Sequence, residues 1–212
     1  MLLMPLSRFP SLIKDRLRVA FHKVKITQAS ILLRDSLKCD SHLTLAERKI
    51  LYELSANKNT IAEIGSYLGA SACCFAAALQ QTEKTVYCID TWSNDSMTEG
   101  NWDTWRSFRN NTRKYSSIIV PLRGWSTDMA KHLARYTKRI DLLFIDGAHD
   151  YDSVKADWES YKAFLDIGSV IVFHDIGWAE GVQTVVNEDV IHLTENSEEL
   201  PNMWWGTLSK KP

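Results

Sequence analysis

The chain has 212 residues and carries 25 Lys and Arg against 26 Asp and Glu, a formal charge of −1. That balance lacks the strong basic excess of a general nucleic-acid binder, so no nucleic-acid partner is expected. No apolar run reaches the ~18 residues that span a bilayer, and 45% apolar with 24% charged residues is the composition of a globular domain.

The N-terminal stretch is basic: Arg8, Lys14, Arg16, Arg18, Lys23, Lys25, Arg34 and Lys38 face only Asp15 and Asp35, with Leu12, Ile13, Leu17, Val19 and Phe21 interleaved. A signal peptide fits poorly, because the apolar stretch precedes the charges and no small-residue cleavage site follows. Residues 1–42 are therefore expected to form a helical cap on a domain spanning 43–212. A homodimer contact, or a weak contact with an anionic membrane surface, are the alternatives for the same segment. Cys39, Cys73, Cys74 and Cys88 form no C-x-x-C pair and lack zinc spacing, which predicts reduced thiols and a cytoplasmic protein.

From residue 60 onward, short β-rich runs alternate with helical segments. Strands are predicted over 60–64, 85–89, 118–121, 140–145 and 169–174, and helices near 71–81, 101–113, 126–137 and 151–165. In the last of these helices Val154, Trp158, Tyr161 and Leu165 follow helical spacing. Strands apolar on both faces and separated by helices imply a parallel sheet covered on both sides. Two further strands, 190–193 and 203–209, are predicted around a polar connection, TENSEELPN, that contains Pro201. The fold class is then α/β: a doubly wound, Rossmann-like, seven-stranded sheet, mostly parallel with an antiparallel C-terminal strand. Ligands in such sheets bind beyond the carboxyl ends of the strands, where strand order reverses.

The turn after the first strand reads Glu63-x-Gly65-x-x-x-Gly69-x-Ser71. A dinucleotide fingerprint would need glycine at 67 and 70, where Tyr67 and Ala70 stand. A P-loop would need four residues between its glycines and then Lys. The turn still lets a ligand approach bare backbone, and the helix near Ser71 offers free amides. Glu63, however, repels phosphate. A ligand with an ammonium for acidic groups and a carboxylate for amides resolves the conflict. Asp90, at the tip of the second strand, suits the two hydroxyls of a ribose. An amino acid joined to a ribose without pyrophosphate describes S-adenosylmethionine.

The ordered motifs EIGSYLGAS, CIDTW, RGWSTDMA, LLFIDGAHDYDSV and VIVFHDI resemble a class I S-adenosylmethionine-dependent methyltransferase over residues 43–185. They are similar to the group with IDG-x-H-x-Y and HD strand ends, which includes sugar and antibiotic O-methyltransferases. The resemblance implies that Gly65, Ser66, Tyr67 and Gly69 line the methionine part, with Glu63 and Ser71 beside them. It implies Asp90 on the ribose, Trp92 flanking the adenosine, and Gly124, Trp125 and Ser126 around the adenine.

Asp146 and His149 end the fourth strand; His174 and Asp175 end the fifth. Adjacent strands would gather Asp146, His174 and Asp175 beside the cofactor, a set able to hold Mg²⁺, or Mn²⁺ given the imidazole. Catechol-type O-methyltransferases are similar but carry carboxylate then amide at the second pair, so His174 departs from the pattern. His149, three residues past Asp146, takes the position of their base. Methyl transfer to a hydroxyl needs such a base, and an imidazole titrates near neutral pH. Trp102, Trp105, Phe108 and the basic Arg106, Arg109 and Arg113 suit a hydroxylated small molecule or sugar acceptor, or equally an amphipathic helix. Trp178, Trp204 and Trp205 either close that pocket or pack the terminal hairpin. A non-catalytic S-adenosylmethionine-binding scaffold and a nucleotide-dependent oxidoreductase are the alternatives to an enzyme transferring methyl groups; the second is disfavoured by Tyr67 and Glu63.

Overall fold

The computed structural model describes residues 31–79, 83–94 and 100–212. The apolar runs form β1 (Thr60–Ile64), β2 (Thr85–Asp90), β3 (Ile119–Arg123), β4 (Leu142–Ile145) and β5 (Val170–His174), with β6 (Thr194–Leu200) and β7 (Met203–Leu208) at the end. The sheet order is β3-β2-β1-β4-β5-β7-β6. β1 to β5 pair in parallel, whereas β7 runs antiparallel to both β5 and β6. The expected architecture is thus present, and the order reverses between β1 and β4.

Accompanying the strands among the described residues are the α-helices α1 (Leu45–Ser55), α2 (Ala70–Ala78), α3 (Trp105–Thr112), α4 (Ser126–Leu133), α5 (Tyr151–Tyr161) and α6 (Glu180–Val185). Two apolar clusters sandwich the sheet. One holds Leu51, Ile61, Phe75, Phe144 and Val172; the other holds Ile64, Leu143, Trp158, Tyr161 and Phe173. α2 is apolar all round, and Ala70 to Ala77 are buried without exception, as expected of a helix with no solvent face. Truncating Phe75 or Phe144, both fully buried, should cost about 3–5 kcal/mol.

α1 was not among the predicted helices, although its signal is in the sequence. Thr44 and Glu47 form a capping box: the Thr44 N–H donates to Glu47 Oε2 at 2.7 Å, and the Glu47 N–H to Thr44 Oγ1 at 3.3 Å. The end of the chain departs from expectation. Residues 190–193 are not a strand, because Val182, Val185, Val186 and Val190 are buried at helical spacing and continue α6 through a π turn into a short 3₁₀ turn. The polar run expected as a connection is instead β6, an exposed edge strand bonded only to β7. Edge strands tolerate charge and use it to block further pairing.

Residues 1–30 of the expected helical cap, with their suggested dimer or membrane contact, lie outside the described residues. From residue 31 on, Leu33, Cys39 and Leu43 join the same cluster as Leu51 and Phe75. Arg48 fastens this stretch, donating to Leu43 O at 3.1 Å and to the backbone oxygen of Ser36. All four cysteines are buried and unpaired. Among the described residues, no helix is long and apolar enough to cross a membrane.

Candidate active site

The strand-order reversal leaves a cleft of about 610 Å³ over the carboxyl ends of β1, β2 and β4. Its floor is backbone. Gly65 has φ +84°, and a Cβ there would sit 1.9 Å from the backbone oxygen of Asp146. Only glycine fits a left-handed residue in that contact. Gly69 (φ +91°) starts α2, but a Cβ on it would meet the Thr112 side chain at 2.7 Å, so its role is packing against α3.

Two carboxylates organise the loop between these glycines. Asp90 Oδ2 accepts the backbone N–H groups of Ser66 and Tyr67, both at 2.8 Å, and Oδ1 accepts that of Trp92 at 2.6 Å. Glu63 is wholly buried beneath the loop, where Ser66 Oγ donates to its Oε2 at 2.7 Å. Its Oε1 has no partner. Burial pushes the Glu63 carboxyl up to about 7, against the opposing pull of the Ser71 and Ser66 hydroxyls. A buried, unpartnered carboxylate oxygen under a glycine loop fits the ammonium of an amino-acid ligand.

Past β3, Gly124, Trp125 and Ser126 line the far end of the cleft. The Trp125 ring is 63% exposed, so it is free to meet a ligand rather than fixed in the core. Ser126 is held by α5: its Oγ donates to Asp157 Oδ1, and its carbonyl accepts Tyr161 Oη–H at 2.9 Å. Burial raises the Asp157 carboxyl to about 6, partly offset by that Ser126 hydroxyl. Asp157 lines the cleft, a role the sequence did not disclose because it sits at helical spacing among core residues. Asn94, Thr104 and Gly147, in loops, and Ser153, in the first turn of α5, also line it unexpectedly.

Trp92 requires a correction. It is fully buried, its ring 4.6 Å from those of both Trp105 and Phe108, and it does not line the cleft. Its contribution is the backbone N–H on Asp90. Ser66, Gly69 and Ser71 likewise support the loop from beneath instead of lining the cavity. Trp204 and Trp205 are buried in the two cores.

The acidic edge assembles as the sequence suggested. Asp146, His174 and Asp175 each offer an atom within 4.8 Å of the others. His174 Nδ1 lies 3.1 Å from Asp146 Oδ1 and 3.3 Å from Asp175 Oδ1, and its Nε2 lies 3.7 Å from Glu47 Oε2. His149 Nε2 is 3.0 Å from Asp175 Oδ2. Burial opposes a charge on His174, but Asp146 and the other carboxylates outweigh it and hold the imidazole up to about 12. The His149 imidazole is raised by its bond to Asp175, against its partial burial. Asp175 is held far below the carboxylate range despite burial, by His149 and His174. One imidazole N–H, that of His174 Nδ1, lies between Asp146 Oδ1 and Asp175 Oδ1.

Comparisons with known proteins agree with this fold. A family described as a methyltransferase domain matches residues 62–176, more than half of the chain. The chain belongs to that family, whose class I fold uses S-adenosylmethionine. An uncharacterized protein of Sinorhizobium fredii, y4gI, is 30% identical over 119 residues, covering 54% of this chain and 13% of that protein. Protein R132 of Acanthamoeba polyphaga mimivirus is 32% identical over 95 residues, 41% of this chain and 43% of R132. The chain thus spans less than half the length of either relative. Among solved structures, a putative O-methyltransferase from Klebsiella pneumoniae superposes with a TM-score of 0.62 at 14% identity, covering 85% of this chain and 89% of its own. A TDP-rhamnose 3′-O-methyltransferase of calicheamicin biosynthesis gives 0.62 at 15% identity, covering 87% and 94%.

Proposed function

We propose that this protein is an S-adenosylmethionine-dependent O-methyltransferase whose acceptor is a hydroxylated small molecule or sugar. The observation that carries the cofactor assignment is the fully buried Glu63 carboxyl below a glycine turn that lines the cleft at Gly65 and Tyr67. In this reading Glu63 takes the ammonium, Asp90 takes the ribose, and Trp125 and Ser126 flank the adenine. S-Adenosylmethionine supplies the methyl group to the acceptor oxygen and leaves as S-adenosylhomocysteine. His149 removes the hydroxyl proton at its Nδ1, because Nε2 is engaged with Asp175. The acidic edge and the backbone floor align the acceptor with the methyl group and exclude water.

The sugar class draws on two things. One solved neighbour methylates a TDP-rhamnose. Trp178 also presents a ring that is 62% exposed, 4.8 Å from the His149 ring, a surface suited to stacking on a pyranose. Calorimetry with S-adenosylhomocysteine and with NAD tests the cofactor, since an oxidoreductase would bind only the second. A panel of hydroxyl acceptors including nucleoside-diphosphate sugars, assayed for transfer of labelled methyl, tests the reaction. Tight cofactor binding with no transfer to any hydroxyl would favour the scaffold alternative.

A further inference from the structure

We propose that Asp175 is the positioning carboxylate of His149 and not a ligand for a cation, so that this edge of the site works as a carboxylate–histidine dyad built without a metal. The inference rests on the methyltransferase reading for the identity of the base, but its geometry stands apart from that reading. It begins with the backbone. Asp175 follows β5 directly and has φ 62°, a left-handed conformation uncommon outside glycine. A residue held there without glycine's freedom is fixed by its partners.

Those partners crowd one oxygen of its carboxylate. Oδ1 accepts Trp178 Nε1–H at 2.8 Å and Asn202 Nδ2–H at 2.9 Å, and it faces His174 Nδ1 at 3.3 Å. Oδ2 faces His149 Nε2 at 3.0 Å. Oδ1 thus faces three N–H groups, more than its two lone pairs, while Oδ2 faces one and keeps a second lone pair. Two of the four, an indole and an amide N–H, can only donate. They come from separate places in the chain: the loops after β4 and β5, the tip of β5, and the β6–β7 turn. Asp175 therefore ties the terminal hairpin to the catalytic edge and sets the orientation of His149.

The crowding of Oδ1 opposes a cation shared with Asp146: a metal on Oδ1 would displace at least one fixed donor. His174 Nδ1 lies between Asp146 Oδ1 and Asp175 Oδ1, so it carries its hydrogen on the only ring atom near both. The imidazole stands where a cation would bridge the two acids. His149 is left with Nε2–H on Asp175 and, among the described residues, with no partner for Nδ1, the arrangement a base requires.

Side-chain ¹H–¹⁵N correlation spectra of the histidines in the full chain test this without knowledge of the acceptor. At about pH 8.5, where an imidazole is largely neutral, His149 is expected as a single Nε2–H tautomer, and Mn²⁺ added at about equal concentration should leave the His149 and His174 signals unbroadened. In Asp175→Asn, the single tautomer should give way to a mixture while the Kd for S-adenosylhomocysteine stays within about threefold. A tautomer mixture in the unaltered protein, selective broadening by stoichiometric Mn²⁺, or an unchanged tautomer in folded Asp175→Asn would each overturn the proposal. If Asp175→Asn fails to fold, the two measurements on the unaltered chain still decide. A protein that shows the tautomer yet binds no S-adenosylhomocysteine would defeat the methyltransferase reading and leave the dyad standing.

Discussion

Gly65 and Asp146 touch through backbone alone: a Cβ on the glycine would lie 1.9 Å from the carbonyl oxygen of the aspartate. The glycine loop after β1 and the loop after β4 that carries His149 are thus in register through one residue without a side chain. Gly65→Ala must move one of two backbones, and it also places an L-residue at φ +84°. Gly168 is a control, with φ +88° and nothing within 4 Å of its Cβ position. Gly168→Ala should cost only the left-handed strain, about 1–2 kcal/mol. Gly65→Ala should cost clearly more and abolish S-adenosylhomocysteine binding, as read by urea unfolding and calorimetry. Equal costs for the two substitutions would show that the contact is relieved by simple movement.

Asp90 organises the loop after β1, and the proposed function also gives it the ribose. Three backbone N–H groups end on its carboxylate, and hydrogen bonds to a charged group are each worth about 1.5–3 kcal/mol. Asp90→Ala should therefore destabilise the fold and weaken S-adenosylhomocysteine by at least about a hundredfold. Asp90→Asn, which keeps one acceptor oxygen, should fold better but still bind poorly. A variant with normal unfolding and normal affinity would remove Asp90 from both roles.

The fold was legible in the sequence wherever two independent signals coincided. Apolar runs bounded by Gly65 and Gly124 gave the strands, and the alternation with helices gave the parallel sheet. Legibility failed where one signal was read without its rival. The acidic run Thr194–Leu200 has no apolar face, so it read as a connection, although an edge strand needs none. The Val182-Val185-Val186-Val190 spacing was helical, but Val190 to Leu193 alone looked like a strand. At the site, strand-end carboxylates and His149 could be named because strand ends converge. Trp92 could not be placed, since a tryptophan after a strand is equally at home beside a ligand or packed on Trp105 and Phe108. The bonds to Asp175 Oδ1 were beyond reach, because Trp178 and Asn202 meet only in three dimensions.

His149 lines the cleft and has one ring nitrogen committed to Asp175. Its replacement removes the base and leaves the glycine loop untouched. His149→Ala should lower kcat about 10²–10⁴-fold while S-adenosylhomocysteine affinity holds within about threefold. Initial rates on whichever acceptor the panel identifies, paired with calorimetry, measure both. Unchanged turnover would assign proton removal elsewhere.

Glu63 makes stability and cofactor binding depend on pH in opposite ways. Its ordinary carboxyl value is 4.5, and burial lifts it to about 7 in the folded chain. The folded state therefore holds a proton that the unfolded state releases. Its contribution to stability is complete below pH 4.5 and is lost as pH rises through about 7. The loss amounts to about 3 kcal/mol at 1.36 kcal/mol per unit. Glu63→Gln should lack this slope, so the difference in urea-unfolding free energy between the two proteins should shift by about that amount across the window. An arriving ammonium reverses the preference and favours the carboxylate, so S-adenosylhomocysteine binding at about pH 6 should release most of one proton. Calorimetry in buffers of different ionisation enthalpy reads that proton directly. Its absence in the unaltered protein, or its persistence in Glu63→Gln, would show that the ammonium is held by some other group.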